Sequence, residues 1–295
     1  MDLVARHPSL PITAVVLTFN EEANLEPCLQ SLSGWTKAIW IVDSGSTDGT
    51  FEIARRHGAV FIEHPFESHV KQWRWALAQV PTSEDWILAL DADQRITPEL
   101  QKELAALFSS SNGPDVDGLY INRRQVFRGR WIKHGGYYPK YLLKLFRRDK
   151  VSFDEMDLVD HHFYISGTTA KLKHDLIEEN VKENDIAFWI GKHNRYAVRM
   201  AEEEMHRGES GQKSPVSSAL FGAPDQRILW LKSLWSRLPL YLRPVLYFHY
   251  RYFLRLGFLD GKQGFIFHFL QGFWFRLLVD INIEEVKHGI RRLTK

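Results

Sequence analysis

DWILALDADQRITPEL, residues 85–100, sets a continuous apolar run, Trp86 to Leu90, directly before the pair Asp91 and Asp93. A run of that kind is a strand buried on both faces, the form strands take in a parallel sheet covered by helices. Beyond the acidic turn, Thr97 and Pro98 make an N-cap and first-turn pair that opens a helix reaching to Phe108. The same order of strand, polar turn and helix recurs upstream. ITAVVLTF (Ile12 to Phe19) is a second buried run, followed by Leu25, Cys28, Leu29 and Leu32 on one helical face, with Asn24 as N-cap, Pro27 in the first turn and Gly34 as the stop. AIWIV (Ala38 to Val42) precedes a helix from Thr50 to His57, with Ser46 or Thr47 as its N-cap and Gly58 just past its end. A short strand, Val60 to Ile62, and a helix carrying Trp73, Trp75 and Leu77 complete the series.

Short apolar strands alternating with helices of ten or so residues are βαβ units, so about the first 110 residues should form a doubly wound open sheet. Ligands of such sheets bind at the carboxyl ends of the strands, and that rule puts Asp43, Asp91 and Asp93 on one rim. Two carboxylates two residues apart, leaving a strand into a turn, supply hard oxygen ligands for Mg²⁺ or Mn²⁺ bridging phosphates. Taken without its position, the same D-x-D is also an ordinary Asx turn.

Composition bounds the reading. The 295 residues, 44% of them apolar, exclude wholesale disorder and allow one large or two modest domains. One cysteine excludes a disulfide framework and suits a reducing compartment. No secretory signal is visible before Pro8, and no apolar run of 18 residues is uninterrupted. The formal net charge of +2 hides a division, −6 over residues 1–225 against +8 over 226–295. An acidic body with a basic tail points to an anionic partner for the tail.

After the polar loop SSSNGPDVDG, two more strands are expected, Leu119 to Val126 and Lys140 to Phe146, and then a region rich in Asp and His. That region has no HxxxH or HExxH spacing, which argues against zinc. Between Gln226 and Leu259 stand six basic residues, no acidic ones and nine aromatics.

Three segments resemble the inverting, family-two glycosyltransferases of the GT-A fold: VVLTFNEEANLEPCLQSL, IVDSGSTDGTFEIARRHGA and DWILALDADQRITPEL, in the family's order and spacing. Further on, LVDHHF, IGKHNRYA and GFLDGKQG look like a subgroup that builds bacterial lipopolysaccharide or exopolysaccharide. The resemblance implies a GT-A-type α/β fold, a doubly wound, mostly parallel sheet with a helical, basic and aromatic C-terminal extension. It implies a catalytic domain over 1–225, with a donor-binding half at about 10–110 and an acceptor half at about 115–225, and a separate region at 226–295. The donor would be a nucleotide-sugar, the cofactor a divalent metal, Mg²⁺ or Mn²⁺, and the acceptor a saccharide or lipid-linked saccharide.

By this resemblance Thr18, Phe19, Asn20 and Glu21 close the first strand around the nucleobase, Phe19 serving either as a stacking face or as core. Asp43 would accept a hydrogen bond from base or ribose, Asp91 would lie near ribose and metal, and Asp93 would ligate the metal that neutralises the diphosphate leaving group. Lys71 and Arg74 sit on the helix before the D-x-D strand, where they either add positive charge at the donor or line a solvated surface, and Gln72 falls where the family often has a polar residue facing the donor. Inverting transfer needs one general base. The subgroup places an acidic pair where this chain has Asp160-His161, so the base is Asp160, with Asp157 and His161, whose ordinary pKa is about 6.5, behind it. His193 stands either in a wall near the acceptor or in helix packing.

In the tail, Ile228, Leu231, Trp235 and Leu238 recur at helical spacing, with Arg227, Lys232, Arg237, Arg243, Arg251 and Arg255 among aromatics. This describes an in-plane element on an anionic membrane surface, with Trp230 or Trp235 at the headgroup level, and hence a cytoplasmic enzyme peripheral to the inner face of the cell membrane. Packing on the body and an oligomer contact are the alternatives. Nucleic acid is disfavoured for want of a recognition motif. Two other functions compete: a catalytically silent subunit of the same fold, kept open by His161, and a nucleotidyltransferase, which should show a Gly- and Lys/Arg-rich loop where this chain has Asn-Glu-Glu.

Overall fold

The computed structural model describes residues 9–81, 85–109, 113–155, 162–210 and 217–290, the side chains of 208–210 excepted. Among them, nine strands form one sheet in the order β3-β2-β1-β4-β8-β6-β11-β5, with β7 beside β6. These are β1 (Leu10–Thr18), β2 (Thr36–Asp43), β3 (Val60–Glu63), β4 (Trp86–Asp91), β5 (Gln94–Ile96), β6 (Gly118–Phe127), β7 (Arg130–Trp131), β8 (Tyr141–Arg147) and β11 (Thr169–Glu178). β9 (Val151–Phe153) and β10 (Phe163–Ile165) pair separately.

β1 runs parallel to both β2 and β4, and β2 parallel to β3, which is the doubly wound half expected from the alternating pattern. The apolar runs are buried on both faces for the reason that made them legible. In β1, Ile12, Ala14 and Val16 enter one core with Leu25, Cys28, Leu29 and Leu32 of α1 (Glu22–Leu32). Val15 enters the opposite core with Trp73, Ala76 and Leu77 of α3 (His69–Gln79). α2 (Thr50–Arg56) and α4 (Pro98–Leu107) join the first layer through Ile53, Leu100 and Leu104. Cys28 is fully buried there, and burial, then the charges of Asp93 and Asp91, push its thiol pKa far up.

The caps divide. Thr97 accepts the N–H of Leu100 and caps α4 as expected. Asn24 does not cap α1. The helix starts two residues earlier, and Asn24 lies inside it, donating to Glu21 and Asn180 and accepting the N–H of Val181. Neither Ser46 nor Thr47 caps α2, which begins after Gly49, because the Ser46 hydroxyl is engaged by Asp43 and the Asn20 amide.

Beyond residue 115, apart from the small β9–β10 pair, the described strands extend the same sheet. β8 adds antiparallel to β4, β6 pairs with β8, and β11 and β5 extend the same sheet. A long helix, α5 (Ile186–Ser210), then leads to α6 (Pro224–Trp235), α7 (Leu242–His249), α8 (Gly261–Phe267) and α9 (Phe275–Lys287). Two clusters bind these helices to the body: Phe267 with Phe127, Ile132, Tyr137 and Trp189, and Phe275, Val279 and Ile283 with Ala197 and Ala201. The loop between β7 and β8 is pinned as well. Asp260 accepts both the backbone N–H and a ring hydrogen bond of His134, and Arg251 donates to the carbonyl of Gly135 at 2.7 Å. Gly135 has φ +68°, and a Cβ there would overlap the His268 imidazole, so only glycine lets the loop come this close.

One helical stretch, Gly257–Lys287, is long and apolar enough by length and composition to cross a membrane, and 39% of its most apolar window is buried inside the protein. Its second half is core: α9 packs on α5, and Asp280 receives Arg243 at 2.5 Å.

Candidate active site

The register of the parallel strands assembles the rim. Thr18 lies beside Asp43, and Leu17 beside Asp91, so three strand ends share one edge. Thr18 donates to Asp43 at 2.6 Å, and the same carboxylate accepts the Ser46 hydroxyl and the N–H groups of Gly45 and Ser46. Asp43 is 1% exposed. Its carboxylate organises the loop after β2, and the hydroxyls and amides around it carry that order to the surface. Asn20, at φ +52°, accepts the N–H of Thr47 and ties this loop to the one after β1. Lys182 closes the arrangement from the far side, donating to the Asn20 carbonyl at 2.9 Å and to Glu21 at 2.7 Å. Between these braced loops Phe19 stands 56% exposed. The core alternative for this ring does not hold, and its face is open to a planar ligand.

Asp91 and Asp93 follow on the neighbouring strand. Asp91 accepts Lys144 of β8 at 3.1 Å, and Lys144 is itself only 4% exposed. Burial, then the carboxylates of Glu178 and Asp91, push the Asp93 pKa well above the usual range, and Lys192 of α5 acts in the opposite sense. Lys192 pairs with Glu183 at 2.7 Å. Burial works against its charge, but Glu183, Tyr196 and Asp93 outweigh burial and keep the ammonium protonated. Glu178 is held by Gln94 and Arg123. Among the described residues no group of three or more His, Cys, Asp or Glu side chains is placed to hold a metal ion alone. The donor set of Asp91 and Asp93 fits a cation completed by phosphate oxygens, because Mg²⁺ is commonly held by one or two carboxylates plus substrate phosphates, and excess negative charge at Asp93 is what such a cation relieves.

Lys144 and Lys192 were not singled out from the sequence. The signal for Lys144 was a lone lysine inside an apolar strand, YLLKLFR; a charge in that position must find a partner. Lys192 lies within IGKHNRYA, where the neighbouring histidine drew the reading.

Other sequence candidates land elsewhere. Gln72 is buried, bonded to His64 and to the Ser44 hydroxyl, and braces α3 against the loops. Lys71 points to solvent on α3, paired with Glu67, and Arg74 pairs with Glu155; both take the solvated-face alternative. His193 is buried, stacked on Trp189 at 3.5 Å, and belongs to the helix packing. Asp157, Asp160 and His161 lie outside the described residues.

A sheet of this topology takes its ligand over the carboxyl ends of its parallel strands, and there it presents an exposed aromatic ring, an acidic pair and a buried lysine on the pair, suited to a base at one end and a diphosphate at the other. Fold and rim define a nucleotide-sugar transferase of the α/β class. The sequence profile of Glycosyl transferase family 2 matches residues 13–168. The chain belongs to that family and is a glycosyltransferase. LpsC, a lipopolysaccharide core biosynthesis glycosyltransferase of Rhizobium meliloti, is 29% identical over 245 residues, 77% of this chain and 84% of the relative. An uncharacterised glycosyltransferase of Rickettsia typhi is 33% identical over 118 residues, 40% of either chain. Among solved structures, the 1–349 fragment of S. aureus TarS aligns over 96% of this chain and 93% of its own at 16% identity and a TM-score of 0.42. Glucosyl-3-phosphoglycerate synthase of Mycobacterium tuberculosis, crystallised with Mn²⁺, UDP and glucosyl-3-phosphoglycerate, covers 41% of this chain and 45% of its own at 23% identity and a TM-score of 0.29.

Proposed function

We propose that this enzyme moves a sugar, with inversion, from a nucleotide-sugar to a glycan or lipid-linked saccharide during assembly of a bacterial surface polysaccharide. The lipopolysaccharide role of the LpsC relative supports that choice of product class. The observation that carries the reaction is the placement of Asp91 and Asp93 at the carboxyl end of β4, on the same rim as the braced loops after β1 and β2. Asp91 and Asp93 would hold Mg²⁺ or Mn²⁺, which when bound supplies the positive charge that makes a nucleoside diphosphate a competent leaving group. The protein's own contribution is a rigid floor: Lys144 orients Asp91, and Lys192 adds a fixed positive charge near Asp93. Asp160 would take the acceptor proton, with Asp157 and His161 as its neighbours in the chain. The body at 1–225 would carry the chemistry, and the region at 226–295 would hold the enzyme on the cytoplasmic face of an anionic membrane, where a lipid-linked acceptor is found.

The test is donor binding across UDP-, GDP- and dTDP-sugars with and without Mn²⁺ or Mg²⁺. Asp93→Ala should abolish the metal-dependent part of binding without lowering the melting temperature, since Asp93 is crowded by Glu178 and Asp91 and its removal relieves repulsion. Unchanged affinity in metal would overturn the assignment. Asp160→Asn should lower turnover by at least about 10²-fold with donor binding intact, the usual size of a general-base effect. If His161→Ala does this and Asp160→Asn does not, the base is His161.

A further inference from the structure

The C-terminal region meets solvent through an apolar face as well as through part of the basic set its sequence suggests. Of its six basic residues before Leu259, Arg243 is buried against Asp280 and Glu204, and Arg251 is buried on Gly135 and the Tyr137 ring. Trp235 is covered by Arg243, Arg276 and Tyr247. These groups hold the helices together and are not available to a partner. Arg227, Lys232, Arg237 and Arg255 stay exposed, and beside them the helices expose apolar side chains: Phe253, Leu254, Phe258, Leu259, Phe265 and Phe269 are 39–76% exposed.

That surface is continuous across two helical arms, because the half-buried rings of Phe248 and Tyr252 bridge them. Phe248 lies 6.4 Å from Phe253 and 6.0 Å from Phe269, and Tyr252 lies 6.3 Å from Phe258 and 5.7 Å from Phe265. A large continuous apolar face on an otherwise charged protein marks an interaction site. Its charge selects the partner. From Gln226 to Val279 the one carboxylate is Asp260, buried and bonded to His134, while Arg255 and Lys262 stand exposed within the same stretch. A second copy pairing by a two-fold axis would set these cations against each other. An anionic lipid surface satisfies rings and cations together.

We propose that this aromatic face, and not the basic face of α6, inserts at the headgroup and acyl boundary of an anionic bilayer, with Arg255 and Lys262 on lipid phosphates. The inference rests on the membrane reading above and narrows it to one surface. The Gly257–Lys287 stretch then lies in the plane of the membrane, since α9 is fixed to α5 and only its first part is free to face lipid.

Three variants of the full chain decide the matter by co-sedimentation with phosphatidylcholine vesicles with or without phosphatidylglycerol. They are Phe253→Glu/Leu254→Glu/Phe258→Glu, Arg255→Glu/Lys262→Glu, and, on α6 and the turn just after it, Arg227→Glu/Lys232→Glu/Arg237→Glu. All positions are exposed, and donor binding without lipid reports an intact body. The unmodified chain should sediment with anionic vesicles, the first variant should lose roughly tenfold or more at any salt, and the second should lose a similar factor at low salt only. The α6 variant should bind nearly as the unmodified chain does. Loss in the α6 variant alone would leave a membrane-bound tail and overturn this face. No sedimentation of the unmodified chain, with donor still bound, would overturn both membrane readings and leave the transferase standing. A dimer that the first variant converts to monomer without lipid would assign the face to a second copy.

Discussion

Lys144 reaches Asp91 from the antiparallel strand that borders β4, so a residue some fifty positions away places a cation on the D-x-D turn. A charge-assisted hydrogen bond of this kind is worth about 1.5–3 kcal/mol. Lys144→Met should therefore weaken donor binding by about 10- to 100-fold in the presence of metal, because Asp91 loses its orientation and the diphosphate loses a cation. Lys144→Arg should recover part of the affinity. Isothermal titration with the donor found in the nucleotide screen measures both, and equal affinity for all three proteins would remove Lys144 from the site. Lys71 offers the contrast: exposed and paired with Glu67, it holds its ammonium in water, where an ion pair is worth little.

At the scale of elements, α7, α9 and α5 meet on a single buried guanidinium. Arg243 donates to Asp280, Asp280 also accepts the N–H of Tyr241, and Glu204 lies 2.9 Å from the same arginine. Breaking a buried pair leaves an unsatisfied charge and costs about 3–5 kcal/mol. Asp280→Ala should fall at the lower end, because Glu204 remains, and chemical denaturation should show it. The cluster joining α8 to the β7–β8 loop adds a pH dependence. Burial raises the Asp260 pKa, but the His268 imidazole 3.8 Å away and hydrogen bonds from the ring and backbone of His134 outweigh it and hold the carboxyl below its ordinary value. Burial, with help from Arg251, holds His268 below its own ordinary value against the pull of Asp260. Both groups bind fewer protons folded than unfolded, so their stabilisation is present above the ordinary values and lost as pH falls through the folded ones. The melting temperature should drop from below about pH 6.5, where His268 begins to protonate in the unfolded chain, to below about pH 4. His268→Gln should flatten the upper part of that slope, and an unchanged slope would sink the assignment.

These same elements show how far the sequence could be read. The strands of the parallel half were legible because burial on both faces leaves an uninterrupted apolar run, and α4 was legible because Thr97 and Pro98 act within one turn. The start of α1 and the cap of α2 were misread because Asn24 and Ser46 bond across the rim, to Asn180 and to Asp43, partners that local capping rules do not see. The acidic rim was legible from strand ends alone. Lys144, Lys182 and Lys192 were not, since a lysine looks alike in sequence whether it faces water or a carboxylate brought by a distant strand. Arg243 and Arg251 were misread for the same reason: Asp280 lies 37 residues away and Gly135 lies 116 residues away.

As a whole molecule, the described residues form one large sheet dressed on two faces and closed at one side by helices that also carry the apolar surface. The cluster of Phe267, Phe127, Tyr137 and Trp189 and the β7–β8 loop connect that surface to the strand bearing Lys144, so the helices and the rim share a rigid connection. Beneath the rim sits Cys28, fully buried and held in its thiol form. Thiolate is the reactive species and burial denies access, so alkylating reagents should pass over the folded chain and react only when the parallel half opens. The rate of thiol modification in native buffer should then track global stability, falling when donor and metal are added, by the mass action of a ligand that binds only the folded state. Any cysteine placed at Leu254 or Lys262 would be the single fast-reacting thiol in the protein, and the chain thus comes already suited to carry one spectroscopic label on the surface that meets its partner.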